Sequence, residues 1–148
     1  MRVNGLRETL AKLNDFGEQG KNRIKQVTAV NGQEIAAKAA RNLSSYSDVD
    51  ETGTIAQSIN AKLEDNGFKS VISVNQVPIG AYIEFGTGTY VEVADEWKDI
   101  AWQFYVNGKG QLHPHPYFYP AFNQGRDQYI SDLKDALQRL TREFNSRR

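Results

Sequence analysis

Tyr82-Ile83-Glu84-Phe85-Gly86-Thr87-Gly88 and, some thirty residues later, His113-Pro114-His115-Pro116-Tyr117-Phe118-Tyr119-Pro120-Ala121-Phe122 decide how this chain is read. In the first stretch two glycines flank Thr87 directly after an aromatic run. Glycine reaches positive φ without steric cost, so the stretch spells a turn. In the second, prolines punctuate aromatics and then stop. Proline is tolerated in the first turn of a helix, but deeper inside it removes a hydrogen bond and clashes with the preceding turn. A long helix is therefore predicted from about Tyr117, with Pro120 in its first turn. Phe122, Tyr129 or Ile130, Leu133, Leu137, Leu140 and Phe144 continue it as an apolar stripe at spacings of three and four.

Upstream, Leu6, Leu10 and Leu13, then Ile24, Val27, Ile35, Ala39 and Leu43, predict a helical N-terminal region with Asn4 as its cap. Gly17 and Gly20 each cost roughly 1 kcal/mol against alanine in a helix interior. A break is therefore expected between helices 5–16 and 21–43. The alanine-rich run Ile35–Ala40 lets a partner backbone approach closely. Residues 43–51 are Ser/Asp-dense and read as an exposed loop. Thr54-Ile55-Ala56-Gln57 fits a capping box opening a short helix through Asn60. Lys69–Val74 is β-branched and alternating, a strand, and Asn66-Gly67 turns residues 61–65 back against it. Pro78 is expected to open a single helical turn carrying Tyr82 and Phe85.

Gly86 to Asp99 reads as a long acidic loop, and Ile100–Val106 as a second strand. Asn107-Gly108-Lys109-Gly110 is a hairpin turn that returns through Gln111–His113. Trp102, Phe104 and Tyr105 make both faces of that strand apolar. One face is covered by the preceding loop or by a neighbouring subunit, so these three residues are a candidate subunit interface. The expected class is α+β: long N- and C-terminal helices packed on a small, mostly antiparallel β-sheet, in one domain spanning residues 1–148.

Composition narrows the function. The chain has 148 residues, 18 basic against 18 acidic side chains and no cysteine. Disulfides and thiol chemistry are excluded, and balanced charge argues against a dedicated nucleic-acid binder. Charge is nevertheless sectored: net +4 over residues 1–43, −7 over 44–100 and +3 from 101 onward. Helices collecting surface lysines and arginines account for this, as does a bipolar subunit whose basic ends meet acidic middles in a ring or stack. No apolar run approaches a membrane span and no signal segment opens the chain, so synthesis in the cytoplasm is expected.

Catalytic motifs fail on inspection. A dinucleotide fingerprint on Gly86-Thr87-Gly88 needs a third glycine where Val91 stands, and a Walker loop needs a Gly-Lys-Ser/Thr ending. His113 and His115 point to one side of an extended chain, but a zinc site needs a third ligand such as Glu84. Glu84 alone, with no partner carboxylate, reads as capping a turn or pairing with a basic helix residue rather than as a general acid. No cofactor and no metal are expected.

Taken in order, these motifs resemble a known family. Ala39-Ala40-Arg41, then Thr52-Gly53-Thr54-Ile55 with Ser58-Ile59, then Ala81 to Gly88, then Pro116 to Phe122 follow the pattern of the gene-product-ten-like family. Its members are tail-completion and head–tail-joining proteins of tailed bacteriophages. Glu84-Phe85-Gly86-Thr87-Gly88 is the most specific element, with Pro116, Phe118 and Pro120 as its downstream counterpart. The resemblance implies a structural virion protein at the head–tail junction, not an enzyme, placed in multiple copies around the tail axis. Its implied partners are itself in a ring and the neighbouring neck, connector and tail-tube or tail-terminator proteins. Genomic DNA would pass through the lumen without sequence-specific binding. This chain departs from the family by inserting Val91–Gln111, which makes that hairpin a candidate contact of its own. The rival reading is a small intracellular module binding nucleic acid or protein through Arg126, Lys134, Arg139, Arg142, Arg147 and Arg148. Interleaved Asp127, Asp132, Asp135 and Glu143 count against it.

Overall fold

A computed structural model describes residues 6–46, 49, 53–75, 77–87 and 112–146. Its first element, α1 (Leu6–Ser44), is one unbroken helix of 39 residues. The break expected at Gly17 and Gly20 does not occur, because the packing on either side outweighs the glycine penalty. Phe16 stacks on Phe144 with ring centroids 4.9 Å apart, and a methyl placed on Gly20 would sit 3.6 Å from Leu140 Cδ2. Most helical stability in folded proteins comes from such tertiary contact rather than from propensity.

The second helix, α2 (Thr54–Gln57), stops before Asn60, and its N-cap is Gly53 in the left-handed region at φ 66°. The expected capping box is therefore not made: Thr54 is already the first helical residue, and Gly53 at the N-cap has no side chain to cap it. Strand β1 (Ile59–Glu64) follows and pairs antiparallel with β2 (Lys69–Val74), from Ile59 opposite Val74 to Glu64 opposite Lys69. The turn at Asp65–Gly67 carries positive φ at Asp65, Asn66 and Gly67, which is what the Asn-Gly pair signalled. Next comes α3 (Val77–Phe85), nine residues rather than a single turn, with Pro78 at its second position. The last element, α4 (Phe118–Ser146), places Pro120 third in the helix, inside the first turn as predicted. Leu112 and His113 are not in a strand. Gly88 and the strand carrying Trp102, Phe104 and Tyr105 lie outside the described residues.

The architecture is α+β, with two long terminal helices and a small antiparallel sheet, two-stranded among the described residues. Helices α1 and α4 run antiparallel: Phe16 meets Phe144 at one end, and Asn42 donates to the Tyr117 carbonyl, 3.1 Å away, at the other. The hairpin packs on the middle of α1, where Gly32 is needed because a methyl there would overlap Ser70 Oγ. The core gathers Ala36, Ala39 and Leu43 of α1, Ile55 and Ala56 of α2, Ile59, Ile83, Tyr117 and Ala121. Ala39, Leu43 and Ala121 are fully buried, so the alanine-rich run serves close approach within the chain itself.

Candidate functional site

The two stretches that open the sequence reading meet in space. Glu84, 5% exposed near the C-terminal end of α3, aims its carboxylate at the start of α4. Its Oε2 accepts the Tyr117 amide at 2.8 Å and the Phe118 amide at 2.7 Å, and its Oε1 accepts the Tyr119 amide at 3.1 Å. A helix leaves its first four amides without intrahelical acceptors. Counted from the cap residue Tyr117, Glu84 takes the first three, and the fourth, Pro120, has no amide hydrogen to satisfy. The negative charge also lies at the positive end of the helix dipole. The cap is thus supplied across 34 residues of sequence rather than by a neighbour of the helix start.

Two further contacts extend the clasp towards Leu112. The His115 amide donates to the Ile83 carbonyl at 2.8 Å, and the Thr87 amide donates to the Leu112 carbonyl at 2.9 Å. The Leu112 amide returns to Thr87 Oγ1 at 3.0 Å, so Thr87 and Leu112 bond reciprocally. Between them Gly86 sits at φ 74°, and a Cβ there would lie 2.8 Å from the Leu112 carbonyl oxygen and 3.0 Å from the Pro114 nitrogen. Glycine is required at that point both by its backbone angle and by the close approach. Tyr117, 1% exposed, donates its hydroxyl to the Gly80 carbonyl at 3.3 Å, and Phe85 faces Tyr119 with ring centroids 5.5 Å apart.

Electrostatically the site is a desolvated carboxylate held by backbone dipoles. Burial pushes the Glu84 carboxyl above its ordinary value, while the amides of Phe118, Tyr117 and Tyr119 pull it back without cancelling the effect. The Tyr119 phenol is raised too, by burial first and then by the Glu84 charge.

Two amides bond Glu84 Oε2 and one bonds Oε1, so both carboxylate oxygens are engaged in structure. His115 Nδ1 donates to the His113 carbonyl at 2.7 Å, and its ring lies edge-on to Tyr46 at 4.9 Å. Among the described residues no group of three His, Cys, Asp or Glu side chains could hold a metal ion. Of the motif residues, the structure joins Glu84, Phe85, Gly86 and Thr87 to the segment holding Pro116, Phe118 and Pro120. Asn42 and Tyr46 complete the clasp: Tyr46 donates its hydroxyl to the Pro116 carbonyl at 3.3 Å. Sequence reading missed both, because nothing local links the end of α1 to a carbonyl 70 residues away.

Residues 7–86 match the family model described as "Bacteriophage HK97-gp10, putative tail-component". The matched span carries Glu84 and ends before the aromatic run that Glu84 caps. No curated protein and no solved structure matches the chain. With more than half of its 148 residues matched, the chain belongs to the HK97-gp10-like family of bacteriophage tail components.

Proposed function

We propose that this chain is a structural, non-catalytic virion protein at the head–tail junction, assembling in multiple copies around the tail axis and joining tail to head. The observation that carries the reading is the family match over residues 7–86. The clasp is in keeping with it, because Glu84, the one carboxylate of the signature, is spent on holding α3 to α4. A ring of identical subunits needs heterologous interfaces that close. In this reading the whole chain acts as one domain and contacts its own copies and the neighbouring neck, connector and tail-tube or tail-terminator proteins. Trp102, Phe104 and Tyr105 face an adjacent subunit, and the inserted stretch Val91–Gln111 makes a contact particular to this phage. The acidic middle of the sequence suits a lumen past which DNA slides, because like charge repels the phosphates.

Two experiments test this. Immunogold labelling of purified particles against an epitope tag on this chain places gold at the neck if the reading holds; label elsewhere on the particle, or none, contradicts it. Filter binding to DNA over a salt series checks the rival module. Strong affinity at low salt that falls steeply with added salt would favour phosphate binding by the basic last helix. Within that helix Arg126 already pairs with Asp127 at 3.5 Å, which neutralises part of that charge.

A further inference from the structure

Strand β2 has one unpaired edge among the described residues. The Asn75 amide donates to the Ser58 carbonyl at 3.3 Å. By the antiparallel alternation, the pairs Asn60–Ser73, Lys62–Val71 and Glu64–Lys69 then carry the hairpin's bonds, and the pairs between them do not. Gln33 Nε2 agrees with this by donating at 3.4 Å to the carbonyl of Ala61, which stands opposite Ile72. The amides and carbonyls of Ser70, Ile72 and Val74 therefore point away from β1. No backbone group among the described residues pairs with them. An edge of this kind is a template for a further strand.

Two hollows flank that edge, and Ile72 lines both. One, of about 280 Å³, is walled by Val74, Phe85 and the start of α4 at Tyr117–Tyr119. The other, of about 310 Å³, is walled by Phe68, Ser70, Ile35 of α1, and Phe122 and Tyr129 of α4. The Ser70 hydroxyl oxygen there is buried and has no hydrogen-bond partner among the described residues. Buried hydroxyls are nearly always bonded, so this one marks a missing partner. The two hollows also differ in charge. Lys69 and Arg126 line the second, with no carboxylate beside them, whereas Glu84 lines the first with no cation. Both cations keep an exposed acid outside the lining, Glu64 for Lys69 and Asp127 for Arg126.

We propose that the segment Ile100–Val106 of a second copy adds to β2 along this edge, parallel to it. The proposal rests on the reading of the chain as a ring subunit, and it names the surface that Trp102, Phe104 and Tyr105 meet. In an extended segment Trp102 and Phe104 share one face and Gln103 takes the other, so two aromatic side chains meet two hollows on either side of Ile72. Asp95, Glu96 and Asp99 precede the segment and set its direction, because they belong beside Lys69 and Arg126 rather than beside Glu84. Trp102 then comes to Ser70 and Phe104 to Val74, and the indole N–H of Trp102 is the donor that the Ser70 hydroxyl lacks. Thr87 and Leu112 bond each other and so tie both ends of the stretch between them to the body of the subunit. Val106 is six residues from Leu112, so it reaches a neighbour's β2 within about 20 Å of that point. Each copy offers one segment and one edge. The contact is thus heterologous, and it passes from copy to copy until the ring closes.

The chain has no cysteine, so introduced thiols report contacts cleanly. Ile72 and Val74 pack on the core, so Val71 and Ser73 face the other way, as Gln103 does in the incoming segment. Phage particles are assembled from two differently tagged copies of the full chain, one carrying Ser73→Cys and the other Gln103→Cys, and treated with a short bismaleimide. A cross-linked dimer bearing both tags is expected, and it should be lost when Trp102→Ser is added to the Gln103→Cys copy. Val71→Cys in place of Ser73→Cys keeps the test valid if the first particles do not form. Immunogold labelling of the same particles reads the neck location separately. Label at the neck without a two-tag dimer overturns the proposal and leaves the ring reading standing. A cross-link formed within single chains of the Ser73→Cys, Gln103→Cys double variant, with no dimer, also overturns it, because the segment would then close its own edge. Absence of the protein from the neck overturns the ring reading and this proposal with it.

Discussion

The Glu84 carboxylate lies 2.7 Å from the Phe118 amide, and through it the end of one helix becomes the cap of another. Side chains that cap helices usually sit at the helix start itself, where a serine or aspartate two or three residues away does the work. Here the residue at that place is Tyr117, whose ring is committed to the core. The acceptor must come from elsewhere, and a single buried carboxylate supplies all of it.

Replacing Glu84 by alanine strands three amides, one buried and two partly buried. A loss of about 3 kcal/mol is expected, from the range for hydrogen bonds to charged groups and unsatisfied buried donors. Urea denaturation followed by circular dichroism measures it. A loss below about 1 kcal/mol would mean that water replaces the carboxylate without strain.

Glutamine at the same position should change how stability responds to pH. Burial raises the Glu84 carboxyl above 4.5, so the folded protein holds that proton more tightly than the unfolded chain does. Its contribution is fully present below 4.5 and is lost as pH rises through the folded value. The urea midpoint of the natural protein, taken relative to Glu84→Gln, should therefore fall as pH climbs from about 4 to 7. A rise over the same interval would show that the three amides outweigh desolvation.

Two glycines should respond oppositely to alanine. At Gly86 the φ of 74° and the Leu112 carbonyl 2.8 Å from the new Cβ both oppose the change. A cost of about 2 kcal/mol or more follows. At Gly17 nothing lies within 4 Å of a new Cβ, and the residue sits inside a continuous helix, so alanine should stabilise by about 1 kcal/mol. Thermal melts of both variants read the contrast directly, and a loss at Gly17 would contradict the unbroken α1.

Leu43 is fully buried where α1 meets α2 and α3, and Leu43→Ala should cost about 2–5 kcal/mol in chemical denaturation. A change under about 1 kcal/mol would mean that this core collapses around the missing atoms.

What the sequence disclosed was local. The Asn66-Gly67 turn, the β-branched run of β2 and the first-turn position of Pro120 depend on the conformational limits of a few adjacent residues, and the structure places them accordingly. What it concealed was non-local. Gly17 and Gly20 look like a break until Phe144 and Leu140 are known to lie alongside. Thr54 looks like a cap until Gly53 takes the left-handed turn that starts the helix one residue earlier. Glu84 reads as a capping residue, but its target is 34 positions away, and no spacing rule connects an acid in one helix to amides in another. Thr28 and Asn31 stand outside the apolar stripe as polar residues, yet both are buried, in contact with Tyr129 and Asp132 of a helix 101 positions on.

The proposed joining role is open to direct test by electron microscopy of a lysate from a phage whose copy of this gene carries a stop codon. A joining role predicts filled heads accumulating apart from tails, or tails with faulty ends that never join. Particles that are whole and infectious would contradict it.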